Sequence, residues 1–265
     1  KNDQTINSDL LFSLSHQPLP ILMLSATACD KPKNFKLFGY VLGLYPAVSD
    51  YHHWISEADQ GYEPMQGVHQ KLFPDYASRM RIRDIEGDIF QNNTVIADCL
   101  KTEQAHEIEE QYALIEKHLL DLKKKEDRST ALGKIVRARM RIEMLKLPIF
   151  LTQAQKHLKE GKAVAIFVNF TATLEKLSEQ LKTQCRVFGE QTMEERKKAI
   201  ADFNADRERV ILLNIMAGGV GISLHDQHGN YPRVSLISPT WSAQDLLQAL
   251  GRIHRAKAKT DSEQH

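Results

Sequence analysis

The sequence predicts an α/β protein whose second half is a mostly parallel sheet flanked by helices, and three observations carry that prediction. From residue 163 onward, short apolar runs alternate with amphipathic stretches at regular spacing. Each run is apolar throughout, which marks a strand covered on both faces. A glycine-rich stretch, Ala217-Gly218-Gly219-Val220-Gly221, directly follows one of those runs, where a strand would empty into a turn.

Taken in order, residues 163–170 read as a strand and 173–181 as a helix, followed by a strand at 185–188 and a helix at 192–203. A strand at 210–213 leads into the glycine-rich turn, and one more at 234–237 precedes a helix starting near Ser242. Such alternation implies right-handed crossovers and helices on both faces of the sheet. Residues after Arg255 read as a polar tail, where a closing strand would be expected.

The first half is less regular. Ile21-Leu22-Met23-Leu24 reads as a buried strand ending in Ser25-Ala26-Thr27, and residues 32–44 read as a helix with Phe35, Phe38, Val41 and Leu42 on its inner face. His52 and His53 fall in a loop-like stretch with no carboxylate or cysteine at ligand spacing, so no metal site is expected. Residues 61–100 are rich in turn formers, as in an insertion. Within them Ser78 to Asp84 alternates, which in an extended chain sets Arg79, Arg81 and Arg83 on one face. That face is either a track for a phosphate backbone or a solvent-facing edge strand paired to acids such as Asp84. Residues 103–128 carry a heptad-like stripe, Ile108, Tyr112, Ile115, Leu119 and Leu122, of a long packed helix. A second helix, 132–146, presents Lys134, Arg137 and Arg141 together, either a contact for nucleic acid or a wet face. The charge run ending at Arg128 sets the expected division between domains, 1–130 and 131–265.

Composition sets limits on function. The 265 residues are 42% hydrophobic and 26% charged with a formal net charge of +1, so phosphate binding has to come from local patches. Cys29, Cys99 and Cys185 are odd in number and widely spaced, which argues against a disulfide framework or a clustered zinc site and suits an intracellular compartment, cytoplasm or nucleus. No apolar run reaches membrane-spanning length, so no membrane partner is expected, and the sequons at Asn92 and Asn169 read as accidental.

The candidate chemistry lies in Gln248-Ala249-Leu250-Gly251-Arg252-Ile253-His254-Arg255. Two arginines three residues apart beside a glycine offer flat, permanently charged forks of donors suited to one anionic ligand. A solvated basic helix end is the plain alternative. The order of motifs decides between them: Ser-Ala-Thr after a strand, Phe167-Val168-Asn169-Phe170, Phe188-Gly189-Glu190, Ala217-Gly218-Gly219-Val220-Gly221-Ile222, Pro239-Thr240-Trp241, then Gln-x-x-Gly-Arg-x-His-Arg. This succession resembles the later motifs of superfamily-two helicases and translocases, and most closely their Swi/Snf-like branch.

The resemblance implies a RecA-like second lobe, preceded by the remainder of a first RecA-like lobe with a largely helical insertion. It implies that Ser25 and Thr27 couple the nucleotide site to lobe movement and that Gly219, Gly221 and Gln248 shape the nucleotide end. Arg252 and Arg255 would be arginine fingers for the γ-phosphate of ATP, and Trp241 would sit on the nucleic-acid side, unless it is packing. ATP and Mg2+ are the implied cofactors, and nucleic acid, double-stranded DNA before RNA, is the implied partner. Ile215 and Met216 stand where the family usually has a hydroxyl and a basic residue. No Gly-Lys-Ser/Thr turn and no Asp-Glu pair occurs in the chain, so the expected protein is part of a larger motor whose first lobe begins upstream, with a viral source suggested by the irregular insertion. The rival expectation is a catalytically silent module that binds nucleic acid or a protein.

Overall fold

The computed structural model describes residues 5–24, 32–58, 64–85, 87, 89–97, 99–123, 128–218 and 221–265. Two compact units, residues 1–85 and 86–265, divide the chain. The first is helical. Helix α1 (Ile6–Ser15) is capped by Thr5, whose hydroxyl accepts the Ser8 N–H at 3.1 Å, and no residue of α1 is buried. A 3-10 turn, Pro32–Phe35, leads into α2 (Lys36–Val41), in agreement with the helix expected there. Helices α3 (Tyr51–Ala58) and α4 (Pro64–Leu72) complete the unit. Its core is aromatic: Phe35, Tyr45, Tyr51 and Trp54 pack with Val68 and Leu72, and the Phe35 and Trp54 rings stack at 5.8 Å.

Three expectations change in this unit. His52 and His53 lie in α3, not a loop; Tyr51 and Trp54, three residues apart, turn one face of that helix inward, and His53 pairs with Glu57 at 3.2 Å. Residues 21–24 are irregular, with Leu22 and Leu24 exposed and no strand beside them among the described residues, so the expected strand has no ladder to join. Arg79, Arg81 and Arg83 are exposed but not on an extended face, because residues Ile82–Asp84 form a 3-10 turn. The Asp84 carboxylate accepts the Arg81 N–H at 2.9 Å, a local bond that competes with an extended strand, and lies 3.8 Å from Arg83 Nε.

The second unit holds a six-stranded, wholly parallel sheet. Its strands are β1 (Asn93–Val95), β2 (Ala163–Val168), β3 (Arg186–Val187), β4 (Val210–Asn214), β5 (Arg233–Ile237) and β6 (Ser262–Gln264), in the order β1-β6-β5-β2-β4-β3. Every residue of β2 is buried, as a central parallel strand requires. Alternate side chains feed opposite layers. Ala163, Ala165 and Phe167 pack with Ile211, Leu213 and the helices α9 (Met193–Asn204) and α11 (Ala243–Leu250). Val164, Ile166 and Val168 pack with Leu212, Val234 and the helices α7 (Leu147–Lys159) and α8 (Thr171–Leu181). The closing strand that the tail was expected to lack is β6, paired on one side to β5 and on the other to β1.

Ahead of the sheet, α5 (Ala105–Lys123) packs on α6 (Arg128–Leu145) through Ile108, Ile115, Ile135, Ala138, Ile142 and Leu145. Only the seven-residue series Ile108, Ile115, Leu122 of the expected stripe points inward; Tyr112 and Leu119 are over 40% exposed, and His118 is buried in place of Leu119. The compact units meet at residues 85 and 86, whereas residue 130 lies in the first turn of α6.

Candidate functional site

Two segments meet beyond β4. The short helix α10 (Ile215–Gly218) follows that strand directly, and Gly221 after it has a φ of +71°, a backbone conformation that glycine adopts without a side-chain clash. From the other side comes α11, whose N-cap Ser242 accepts the Asp245 N–H at 3.1 Å. The chain turns at Gly251, and the Leu224 N–H donates to the Arg252 carbonyl at 2.8 Å, tying the two segments together.

Both arginines converge on one oxygen. Arg252 Nη1 donates to the Ile222 carbonyl at 3.2 Å, and Arg255 Nη2 donates to the same carbonyl at 3.3 Å. Arg252 is 6% exposed, and burial first, then the neighbouring Arg255 charge, pulls its guanidinium below the ordinary arginine range. Arg255 is half-buried, forms no ion pair among the described residues, and has a buried Nε without a hydrogen-bond partner there. The imidazole of His225 is pushed down by burial, then by Arg255 and Arg233. Asp226 offsets part of that push on His225, and its carboxylate is held in its own turn by the His228 and Gly229 N–H groups at 3.1 and 2.9 Å and the Thr260 hydroxyl at 2.9 Å. The result is a cationic corner with a donor to spare, a setting for an anion.

A second cluster occupies the C-terminal ends of β2 and β5, where ligands collect in open parallel sheets. At its centre is Glu143 of α6, 3% exposed. Its carboxylate accepts the Asn169 N–H at 2.9 Å, Asn169 Nδ2 at 2.7 Å, the Phe170 N–H at 3.1 Å and the Ser238 hydroxyl at 2.6 Å. Four residues earlier on the same helix, Arg139 lays its guanidinium over the exposed ring of Trp241 at 4.3 Å and lies 5.9 Å from that of Phe170. These groups line a cavity of about 50 Å³.

Of the residues singled out from sequence, the structure therefore brings Arg252, Arg255 and the Gly221-Ile222 turn together. Gln248 lies one turn earlier on α11, half-buried and without a side-chain hydrogen bond among the described residues. Trp241 belongs to the second cluster, and Arg79, Arg81 and Arg83 lie in the first unit. Ser25, Thr27 and Gly219 lie outside the described residues. Glu143 and Arg139 were not found from sequence. Their signal was there: a carboxylate at position 143 falls beside Ile142 in the inward register of Ile135, Ala138 and Ile142, where an unpaired charge is costly.

Comparison with known proteins bears on this arrangement. Residues 144–257 match the helicase conserved C-terminal domain. A protein of Acanthamoeba polyphaga mimivirus, L364, provisionally named an ATP-dependent RNA helicase, is 36% identical over 98% of this chain and 53% of its own length. The human SWI/SNF-related matrix-associated actin-dependent regulator of chromatin subfamily A member 1 is 34% identical over 38% of this chain and 10% of its own. Among solved structures, the Sulfolobus solfataricus SWI2/SNF2 ATPase core domain is 18% identical, with a TM-score of 0.40, over 89% of this chain and 53% of that one. The chain thus spans about half the length of L364 and a tenth of the human protein. Residues 144–257 are thus similar to the helicase conserved C-terminal domain, and about two fifths of the chain is similar to Swi/Snf-like ATPases.

Proposed function

We propose that this chain serves an ATP-driven nucleic-acid helicase or translocase, supplying the arginine side of the ATP site and part of the nucleic-acid track. The observation that carries the reading is the convergence of Arg252 and Arg255 on the Ile222 carbonyl beside Gly221. Both forks are held by the turn, and Arg255, the more exposed of the two, offers its guanidinium edge to a phosphate oxygen.

ATP supplies a γ-phosphoryl group whose transfer to water drives the motor. The residues at the arginine corner fit the phosphate end of that nucleotide. They offer Mg2+ no free carboxylate from Asp226, the acid that follows the Ile222 turn, because it is committed to its own turn. Arg252, buried and fixed, holds the local field, while the more exposed Arg255 meets the γ-phosphate; a finger of this kind is worth on the order of a thousandfold or more in rate. Gly221 and Gln248 border the nucleotide with Gly219, and Ser25 and Thr27 transmit its state. Trp241 and the Arg79, Arg81, Arg83 group serve the track. On this reading the remainder of a first RecA-like lobe precedes a second one, to which all six strands of the sheet belong, and the phosphate-cradling lysine and the magnesium ligands come from another part of the motor.

The names of relatives support ATP use and leave the nucleic acid open, since L364 is named for RNA and others for chromatin or DNA repair. Double-stranded DNA is the partner proposed here, in line with the Swi/Snf-like branch. The test is to incubate the purified chain with Mg-ATP, with and without duplex DNA or RNA. No turnover but saturable, salt-sensitive binding of duplex DNA is expected. Turnover stimulated by nucleic acid, or no binding at any salt concentration, would overturn the assignment.

A further inference from the structure

On the α7 side of the sheet, His157, Glu263 and His265 gather. Each offers one ligand atom, and the three atoms lie within 4.8 Å of one another. A tetrahedral zinc ion with bonds of about 2.0–2.1 Å spaces neighbouring ligands by roughly 3.4 Å, so inward movements of about an ångström would close the set. His157 is fully enclosed, and its Nε2 has no hydrogen-bond partner among the described residues. The nitrogen that faces the cluster is Nδ1, 3.4 Å from Lys162 Nζ, and this is the atom that an ion in the cluster would use.

The charges point the same way. Glu263 and Glu160 bring two carboxylates to the cluster, and one ammonium answers them: Lys162 Nζ lies 2.7 Å from Glu263, 3.0 Å from Glu160 and 3.4 Å from His157 Nδ1. Lys162 keeps 22% of its side chain exposed and so has a route to swing outward. Two imidazoles and a carboxylate are a borderline donor set that suits zinc over the hard cations.

We propose that His157, Glu263 and His265 form a zinc site in which the ion takes over the place that the Lys162 ammonium occupies. The ligands come from α7 and from the end of β6, so the ion joins the helix layer to a late strand of the sheet. This site is independent of the ATP reading.

The test uses the whole chain without a polyhistidine tag, titrated with zinc chloride by calorimetry and with cobalt chloride by visible absorption. Expected are one saturable micromolar site, a cobalt band typical of four-coordination, and a zinc-dependent rise in Tm. Glu263→Gln and His265→Ala should each weaken zinc binding at least tenfold. Lys162→Met should strengthen it several-fold, which a merely structural salt bridge would not do. His157→Ala can fail to fold because that residue is enclosed, so the decision rests on the other three variants. Absence of saturable binding, binding unchanged in Glu263→Gln and His265→Ala, or weaker binding in Lys162→Met would overturn the proposal.

Discussion

Replacing Glu143 by alanine removes the acceptor shared by the ends of β2 and β5. Three donors lose their partner: the Asn169 N–H, the Phe170 N–H and the Ser238 hydroxyl, now held at 2.9, 3.1 and 2.6 Å. Asn169 Nδ2 keeps the Pro239 carbonyl at 3.1 Å. A buried donor left unsatisfied costs about 1–3 kcal/mol, and water entering the adjoining cavity recovers part of that, so roughly 3–5 kcal/mol of stability should be lost. Glu143→Gln should cost less. With its oxygen on the side facing Asn169 and Ser238, glutamine forfeits only the bond to the Phe170 N–H, about 1–3 kcal/mol. Urea unfolding in a Trp54→Phe background checks both, because the remaining tryptophan, Trp241, sits at this cluster and reports the second unit alone. A loss below about 1 kcal/mol for alanine, or an equal loss for the two variants, would refute the argument that the carboxylate holds the two loops by these bonds.

Asp206→Asn should destabilise the second unit by roughly 3 kcal/mol, since Arg233, 1% exposed, would lose its ionic partner at 2.7 Å. Asparagine tolerates the positive φ of 60° at that position, so thermal unfolding of the variant reads the charge and not backbone strain. Cys185 should resist iodoacetamide at pH 8 while exposed Cys99 reacts, as peptide mapping would show. Burial first, then Glu208 and Asp202, pushes the Cys185 thiol up to about 12, leaving roughly one thiolate in ten thousand at pH 8. The sign is that of an acid held protonated, so its labelling should rise with pH.

The sheet was legible because β2, β4 and β5 are central strands, and a strand covered on both faces has to be apolar along its length. Strand β6, second from one edge, escaped for the complementary reason. In β6, Ser262, Glu263 and Gln264 read as a polar tail, yet Ser262 and Gln264 are buried by bonding to Asn93 of β1 and Ser235 of β5. Polar side chains that satisfy one another across strands carry no apolar signal. Helix α7 was hidden by Pro148, which reads as a break but occupies the first turn, where its missing N–H costs nothing. At the candidate site, the arginine pair was legible from its spacing and from the order of motifs before it. That both arginines share the Ile222 carbonyl was not, because the bond spans 30 residues for one and 33 for the other. Glu143 gathers partners 26 and 95 residues away, which no local pattern encodes.

On the proposed function, Arg255 completes an ATP site whose phosphate-cradling lysine and magnesium ligands lie on another lobe. Its direct test is steady-state ATP turnover, with saturating nucleic acid, in a protein that joins this chain to a lobe bearing a Gly-Lys-Ser/Thr turn and an Asp-Glu pair. Arg255→Ala should lower kcat by on the order of a thousandfold while nucleic-acid affinity stays within about twofold. Equal loss of turnover and of nucleic-acid binding, or turnover unchanged by the substitution, would contradict the account.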